Sequence, residues 1–260
     1  MIKFFRHIRQ SLIMENKTSK YLKYAIGEIV LVVIGILIAL QINNWNEQRK
    51  ESSRETKLKS ELIEEFEKDL TQLESKIKIR NRIIKSNLKL LSYIDDENIQ
   101  DADSIKHYMA FTSFRPTFDP ISIEIIDKSD IGIIKNDTLR RLLTAWKIEV
   151  MQLREDETNW RNYVIEHKYA YELYTAPGLA RSLQIEFWKD KSSSLFLLES
   201  DAVKRIELKA SNTKIKYVEI LKSPFWETYC TRAIQLNTDA NLNSQVLKQR
   251  MLQIINLLNK

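Results

Sequence analysis

The chain has 260 residues, a formal net charge of +6, four glycines and four prolines. This scarcity of helix breakers favours long helices, and it excludes the glycine-rich loops that cradle phosphates in nucleotide-binding proteins. The charge gives no indication of nucleic-acid binding, because nearly all of the basic excess lies in residues 1–24 and the rest of the chain is close to balanced. The single cysteine, Cys230, excludes an internal disulfide and is expected to act as a small buried hydrophobe.

The N-terminal region predicts a membrane anchor. Within residues 1–18, apolar side chains recur every three or four positions opposite lysines and arginines, as in a basic amphipathic segment at a membrane surface. Residues 24–42 contain one charge, Glu28, over the length of about 20 residues that a helix needs to cross a bilayer. No good cleavage site follows. We therefore predict a transmembrane helix over 19–44 that acts as an uncleaved signal anchor.

Basic residues on either side of this span predict its orientation. Six lysines and arginines precede it almost unopposed by acids, and five follow within about twenty residues. Because positive charge stays in the cytoplasm, we expect residues 1–18 there and residues 45–260 outside the inner membrane, in the periplasm of a bacterium with two membranes. The cytoplasmic part would then be too short to hold an enzyme.

Two features of the span suggest contacts within the bilayer. Glu28 is an intramembrane acid, which is a functional candidate by default, although it could sit at headgroup depth or pair with a nearby lysine. Gly27, Gly35 and Ala39 fall on one helix face and permit close approach of a second helix. They predict a homo-oligomer or another membrane protein as a partner beside the lipid bilayer.

Two stretches resemble a known family. They are KYLKYAIGEIVLVVIGILIALQINNWNEQRK, residues 20–50, and SDIGIIKNDTLRRLL, residues 129–143, where Asp130 stands at a position that is often glycine in the family. The first is similar to the N-terminal signature of a bacterial domain-of-unknown-function family, found mainly in the Bacteroidetes group, of small single-pass membrane proteins. The resemblance implies membership and an anchored domain, and it implies no activity.

After the span, residues 47–93 predict one long amphipathic helix that continues the anchor as a stalk. The expected buried stripe steps by threes and fours: Leu58, Leu62, Phe66, Leu70, Leu73, Ile77, Ile84, Leu88 and Leu91. Asp101 is expected to cap a short helix that ends near Ser113, and residues 121–127 predict another.

A further long helix is expected from Asn136 or Asp137 to the stop at Pro177-Gly178. Residues 180–222 are less clear: Ser192–Ser194 indicate a loop, and weak alternation over 214–221 leaves a short strand open. Ser223-Pro224 predicts the start of a last helix, with a stripe at Tyr229, Ala233, Leu242, Val246, Met251, Ile254 and Leu258. The predicted fold is all-α: an antiparallel helical bundle forming one domain over 45–260.

The sequence gives little sign of catalytic chemistry. The histidines His7, His107 and His167 are far apart, and no pair of histidines or cysteines has the spacing of metal ligands. No nucleophile elbow is present. We therefore expect no enzyme activity, no cofactor and no metal.

Aromatic residues concentrate on the helix before Pro177: Trp146, Trp160, Tyr163, Tyr171 and Tyr174. Core packing is the ordinary explanation, and a cleft for a small ligand is the alternative. The sequence thus favours a non-enzymatic interaction or scaffold protein, with a ligand-sensing domain that signals through a membrane partner as the second hypothesis.

Overall fold

The computed structural model describes residues 18–96, 98, 101–189 and 208–260. Within these ranges the secondary structure is helical and no strand occurs, which confirms the predicted all-α class. The basic segment before residue 18 and the loop predicted at Ser192–Ser194 lie outside the described residues.

The first helix, α1, runs without interruption over Thr18–Asp95, so the span and the stalk are one helix as predicted. The chain forms two compact units, residues 1–57 and 58–260. In the first unit the side chains of the apolar stretch face outward, with Leu31 64% and Ile38 55% exposed. Among the described residues, α1 is the one helix with the length and apolar composition to cross a membrane.

The remaining helices belong to the second unit. A 3₁₀ turn lies at Ile131–Ile133 and a π-helical turn at Val164–Tyr169. The α-helices are α2 (Ala102–Ala110), α3 (Ser122–Lys128), α4 (Asp137–Tyr163), α5 (Ala170–Tyr174), α6 (Leu179–Lys189), α7 (Tyr217–Leu221) and α8 (Pro224–Leu258). The helix α7 lies within residues 214–221, where the sequence pattern also allowed a short strand, and no strand forms there.

Two predicted caps form as expected. The Asp101 carboxylate accepts a hydrogen bond from the Ser104 amide at 3.1 Å and begins α2. The Asn136 side chain accepts one from the Leu139 amide at 3.0 Å and begins α4. Each cap satisfies a backbone amide that has no partner inside the first helical turn.

The long helices α1, α4 and α8 pack side by side. Lys248 of α8 pairs with Glu74 of α1 at 2.7 Å, and Arg250 pairs with Glu149 of α4 at 2.9 Å. Earlier residues of α8 contact later residues of α1 and α4, since Asn241 bonds to Asn81 and Asn243 to Asp156. α8 therefore runs antiparallel to both neighbours.

By contrast, α1 and α4 run parallel to each other. Near the start of the bundle, the Phe66 ring of α1 lies 5.3 Å from the Trp146 ring of α4. Later in both helices, Arg80 of α1 pairs with Glu157 of α4, so the two helices advance in the same direction. The parallel arrangement is possible because residues 101–136, with the short helices α2 and α3, return the chain to the level at which α1 entered the bundle.

The core of this unit has two parts. The aliphatic end contains Leu58, Leu62, Phe66 and Leu73 of α1, packed on α4 residues from Leu139 to Leu153 and α8 residues from Ala240 to Leu258. The aromatic end contains Tyr93, Phe111, Trp160, Trp226, Tyr229 and their neighbours, packed on the short helices. The two parts meet around Arg80 and Glu157.

The predicted stripes are wrong at three positions, whereas the end of the α8 stripe, Met251, Ile254 and Leu258, is buried as predicted. Leu88 of α1 and Leu242 and Val246 of α8 are 53%, 62% and 58% exposed, although the sequence pattern placed them in the core. Several buried positions nearby are polar: Arg80, Ser86 and Asn87 on α1 and Asn237 and Ser244 on α8. Arg80 bonds across to Ser244, whereas Asn87 and Asn237 donate to carbonyls of their own helices. A search for apolar periodicity does not detect such buried polar positions.

Candidate functional site

An open cleft of about 920 Å³ lies at the aromatic end. Three segments form its walls. The first wall is residues 110–115, which are the end of α2 and the loop after it. The second wall is residues 168–173, and the third is residues 177–187, mainly α6. The volume is within the range of pockets that bind small molecules, which is roughly 300–1,000 Å³.

A π-helical turn sets the second wall. Four-residue steps in a regular helix rotate the side chains by about 40° each, so a row such as Trp160, Val164, Lys168 and Glu172 would drift off the buried face. The π turn at Val164–Tyr169 holds more residues per turn, and all four of these side chains stay buried. The turn thereby brings a lysine and a glutamate into the row that faces the interior.

Lys168 and Glu172 form the floor of the cleft. The Lys168 Nζ donates to Glu172 Oε1 at 2.7 Å and to Ser113 Oγ at 3.1 Å. The two charged side chains are only 3% and 8% exposed. Burying charge is costly unless it is paired, and lysine and glutamate are almost never buried outside such a pair. The pair is therefore the least ordinary polar feature of this end of the domain.

Aromatic and cationic groups line the sides of the cleft. The Phe114 and Phe187 rings stack at 5.7 Å, and the exposed Arg115 guanidinium lies over the Tyr169 ring at 5.4 Å. At the back, Gly178 has a φ of +85°, and a Cβ there would come within 2.8 Å of Ser211 Oγ. Glycine is required at this turn both by the backbone angle and by the close approach of the following segment.

Three of the five aromatic residues named for the alternative cleft come together in the aromatic end, away from the cleft walls. Tyr171 stacks on Phe225 at 4.1 Å and Tyr163 on Tyr229 at 5.7 Å, both inside the aromatic end. Trp160 also belongs there and donates from Nε1 to the Phe114 carbonyl at 2.7 Å.

The other two members of that set lie apart. Trp146 is fully buried in the aliphatic end, where its Nε1 donates to Ser122 Oγ at 2.9 Å. Tyr174 is 81% exposed, because the π turn passes the buried position to Glu172. None of the five lines the cleft, which is formed by their sequence neighbours.

The candidate residues of the span lie on an open surface. A Cβ added at Gly27 or Gly35 would meet no atom within 4 Å, and Ala39 is exposed. Glu28 is half-buried. Beyond the apolar stretch, Arg49 lies over the Trp45 ring at 5.7 Å, as an aromatic residue and a cation do at a membrane interface.

A second buried polar cluster joins the three long helices. Arg80 donates to Glu157 and, at 2.9 Å, to Ser244 Oγ, while Glu157 accepts from the Phe118 amide at 3.0 Å. Burial raises the pKa of Glu157 and lowers that of Arg80, and their mutual attraction opposes both shifts. Asp69 accepts from the amides of Ile121 and Ser122 at 3.0 Å each. Glu157 and Asp69 thereby hold residues 118–122 against the bundle, and Arg80 joins Glu157 to α8.

The histidines outside the N-terminal segment lie at the surface. His107 Nδ1 is 3.5 Å from Glu186, which also pairs with Lys106 at 3.3 Å and Lys189 at 3.1 Å. Partial burial opposes ionisation of Glu186, but the two lysines outweigh it and lower its pKa. His167 is exposed against the Tyr163 ring.

Neither a metal centre nor a reactive thiol is evident in the described part of the chain. There, no three histidine, cysteine or acidic side chains gather as metal ligands. Cys230 is buried, and burial raises the pKa of its thiol to about 12.

Sequence reasoning missed the floor of the cleft. Lys168 and Glu172 are four residues apart, a spacing common on solvated helix faces. The available signal was their spacing, because Trp160, Val164, Lys168 and Glu172 follow one another every fourth residue. A charged pair that continues an apolar row in this way indicates either that the row has left the buried face or that the pair is buried.

The profile of a family of unknown function (DUF6090) matches residues 28–137. The match covers less than half of the chain, from the apolar stretch of α1 to the first residue of α4. It includes Ser113 and Arg115 of the cleft and stops before Lys168 and Glu172. No curated protein and no solved structure matches the chain.

Proposed function

We propose that this chain is a non-enzymatic, single-pass protein of the bacterial inner membrane that holds a helical interaction domain in the periplasm. Residues 1–18 lie in the cytoplasm, residues 19–44 of α1 cross the bilayer, and residues 45–260 lie in the periplasm. The resemblance of the N-terminal region to Bacteroidetes-type anchored proteins of unknown function is taken here as membership of that family.

The observation that carries this proposal is the surface of α1. From Leu22 to Ile42 the large aliphatic side chains are 45–64% exposed, far more apolar surface than a protein in water leaves uncovered. A bilayer covers such a surface, and the lysines and arginines before it favour a cytoplasmic N-terminus. The span shows small residues at Gly27, Gly35 and Ala39, which favour a partner helix in the membrane.

The orientation is tested by labelling single cysteines in intact cells with a membrane-impermeant maleimide. The natural thiol, Cys230, is buried and stays silent in the folded chain. Lys222→Cys places a thiol at an exposed site in the domain, and Ser11→Cys places one in the N-terminal segment. We expect label on Lys222→Cys once the outer membrane is permeabilised, and on Ser11→Cys only after lysis.

The reverse pattern would place the domain in the cytoplasm and overturn the proposed location. Release of the chain by sodium carbonate, which strips proteins that are not inserted, would overturn the anchor itself. Wild-type chain is the matched control, since any label on it reports unfolded protein with an accessible Cys230.

A second function is favoured by the cleft. A buried Lys168–Glu172 pair next to a π turn and an open volume of about 920 Å³ is typical of a ligand site, because π turns and buried charges are both frequent at such sites. Under this alternative the domain senses a small molecule and signals through a membrane partner. Binding would then change how the span meets that partner, which crosslinking across Gly35 with and without the ligand would detect.

A further inference from the structure

We propose that the cleft binds a small organic monoanion, a carboxylate attached to an apolar or aromatic body. This inference rests on the second function proposed above, a domain that binds a small molecule, and it names the chemical class of the ligand.

The charges of the cleft favour one negative charge on the ligand. Its charged lining residues are Arg115, Lys168 and Glu172, whose formal sum is +1. Lysine has three ammonium hydrogens, and Lys168 uses two of them on Glu172 and Ser113, which leaves a third for a ligand oxygen. Glu172 would repel a second negative charge, so a dianion such as a phosphate monoester fits less well than a carboxylate.

Arg115 supplies the second cation and a planar group that can bind both oxygens of a carboxylate. Its guanidinium is held over the Tyr169 ring at 5.4 Å and remains exposed to solvent. A guanidinium presents a planar fork of N–H donors that matches the two oxygens of a carboxylate. The ligand's carboxylate would therefore sit between the Arg115 fork and the Lys168 ammonium, two groups placed on different walls of the cleft.

The remaining lining fits an apolar body. Phe114 and Phe187 stack on one side, and Leu183 of α6, with only 4% of its own surface exposed, adds an aliphatic side chain to the third wall. Ala180, a small and exposed lining residue, leaves room on the solvent side, which we call the mouth of the cleft. A ring or short alkyl chain would bury its surface against these groups, which is how most small-molecule sites gain affinity while a few polar groups fix orientation.

The test is calorimetric titration of the full chain in phosphatidylcholine nanodiscs, with empty nanodiscs as the blank. The probes are 3-phenylpropionate and hexanoate, each compared with its neutral amide, together with phenethylamine as a cation of similar shape. We expect the carboxylates to bind and the amides and the amine to bind at least about tenfold more weakly, since they lack the charge that the two cations recognise.

Three variants separate the cleft from the rest of the surface. Arg115→Gln removes an exposed cation and should weaken carboxylate binding about tenfold. Ala180→Trp should fill the mouth and abolish binding with the charges intact. Arg141→Gln removes an exposed arginine of α4 outside the cleft and should bind like wild type. None of these residues is buried, so the fold should be kept, which circular dichroism checks.

Several results would overturn the inference. They are equal binding of amide and carboxylate, preference for the amine, unchanged binding in Arg115→Gln and Ala180→Trp, or no carboxylate binding up to about 10 mM, a concentration that detects affinities weaker than 1 mM. The maleimide experiment measures location and the titration measures ligand class, so either proposal can fail while the other stands.

Discussion

The two ends of the helical domain are built differently. In the aliphatic end, three long regular helices bury leucines, isoleucines and Trp146, and Arg80 and Glu157 close it with side chains 1% and 2% exposed. In the aromatic end, a π turn and short helices surround stacked rings, and the ion pair of Lys168 and Glu172 borders an open cleft. Each end thus combines an apolar cluster with a buried ion pair. The ion pair is enclosed by protein in the aliphatic end and borders solvent in the aromatic end.

This difference separates stability from binding. A sealed ion pair has its hydrogen bonds satisfied by the protein, as Arg80 is by Glu157 and Ser244, and it can only hold the helices in register. An ion pair beside an open cleft is partly hydrated, and a bound ligand can replace the water molecules that contact it. The aliphatic end is therefore expected to carry most of the stability, and the aromatic end the capacity to bind.

The largest effect should come from breaking the sealed ion pair. Arg80→Met leaves the Glu157 carboxylate buried without its charge partner, which costs roughly 3–5 kcal/mol in known cases. Lys168→Met makes the same lesion beside the cleft, where water can reach the stranded Glu172, so the cost should be about half as large. The measurement is the free energy of unfolding of the full chain in dodecyl maltoside, from urea titration followed by tryptophan fluorescence.

Lys147→Met is the matched control, because it removes the exposed pair between Lys147 and Asp127 and should cost under about 1 kcal/mol. Equal losses of unfolding free energy in Arg80→Met and Lys168→Met would mean that water in the cleft does not stabilise the unpaired Glu172. The proposed contrast between the two ends would then be wrong.

A smaller effect should distinguish the apolar packing of the two ends. Leu143 is fully buried in the aliphatic end, and Leu143→Ala should cost about 3 kcal/mol, since it leaves an enclosed cavity. Leu183, 4% exposed, lines the cleft, and Leu183→Ala should cost only about 1–2 kcal/mol because the new space joins a volume already open to water. Both variants remove the same atoms, so a smaller loss for Leu143→Ala in the same urea titration would contradict this account.

The sequence predicted the regular parts of the fold because their signals are local. The unbroken apolar and amphipathic run of α1, the Asn136 cap and the Ser223-Pro224 start each depend on residues within a turn of one another. The prediction of which helix face is buried failed where the buried residue is polar. Arg80 is buried where it bonds to Glu157 of α4 and Ser244 of α8, residues more than 70 positions away in the chain. Asn87 and Asn237 are buried too, although their side chains bond only locally, to Ile83 and Ala233 of their own helices.

The cleft was beyond prediction for a related reason. A reading with 3.6 residues per turn continues the buried row from Trp160 and Val164 to Tyr171 and Tyr174, whereas the π turn directs it to Lys168 and Glu172. A π turn has no simple local sequence signal. Trp146 and Trp160 are buried, as core packing expects, and none of the aromatic residues named for the alternative cleft lines it. Lys168 and Glu172, which the sequence pattern did not single out, do line it.

The smallest effect concerns pH and the closed interior of the aromatic end. Burial raises the pKa of Cys230 from an ordinary 9.0 to about 12, so above pH 9 the unfolded thiol loses its proton while the folded thiol keeps it. The folded state then binds more protons, and stability falls as the pH rises between these values. Relative to Cys230→Ala, whose side chain does not titrate, wild type should lose about 1.4 kcal/mol between pH 8 and pH 10. Urea titrations of both chains at the two pH values measure this difference. Parallel changes in the two chains would mean that the thiol titrates alike in the folded and unfolded states, and would contradict a closed, water-free environment for Cys230 in the aromatic end.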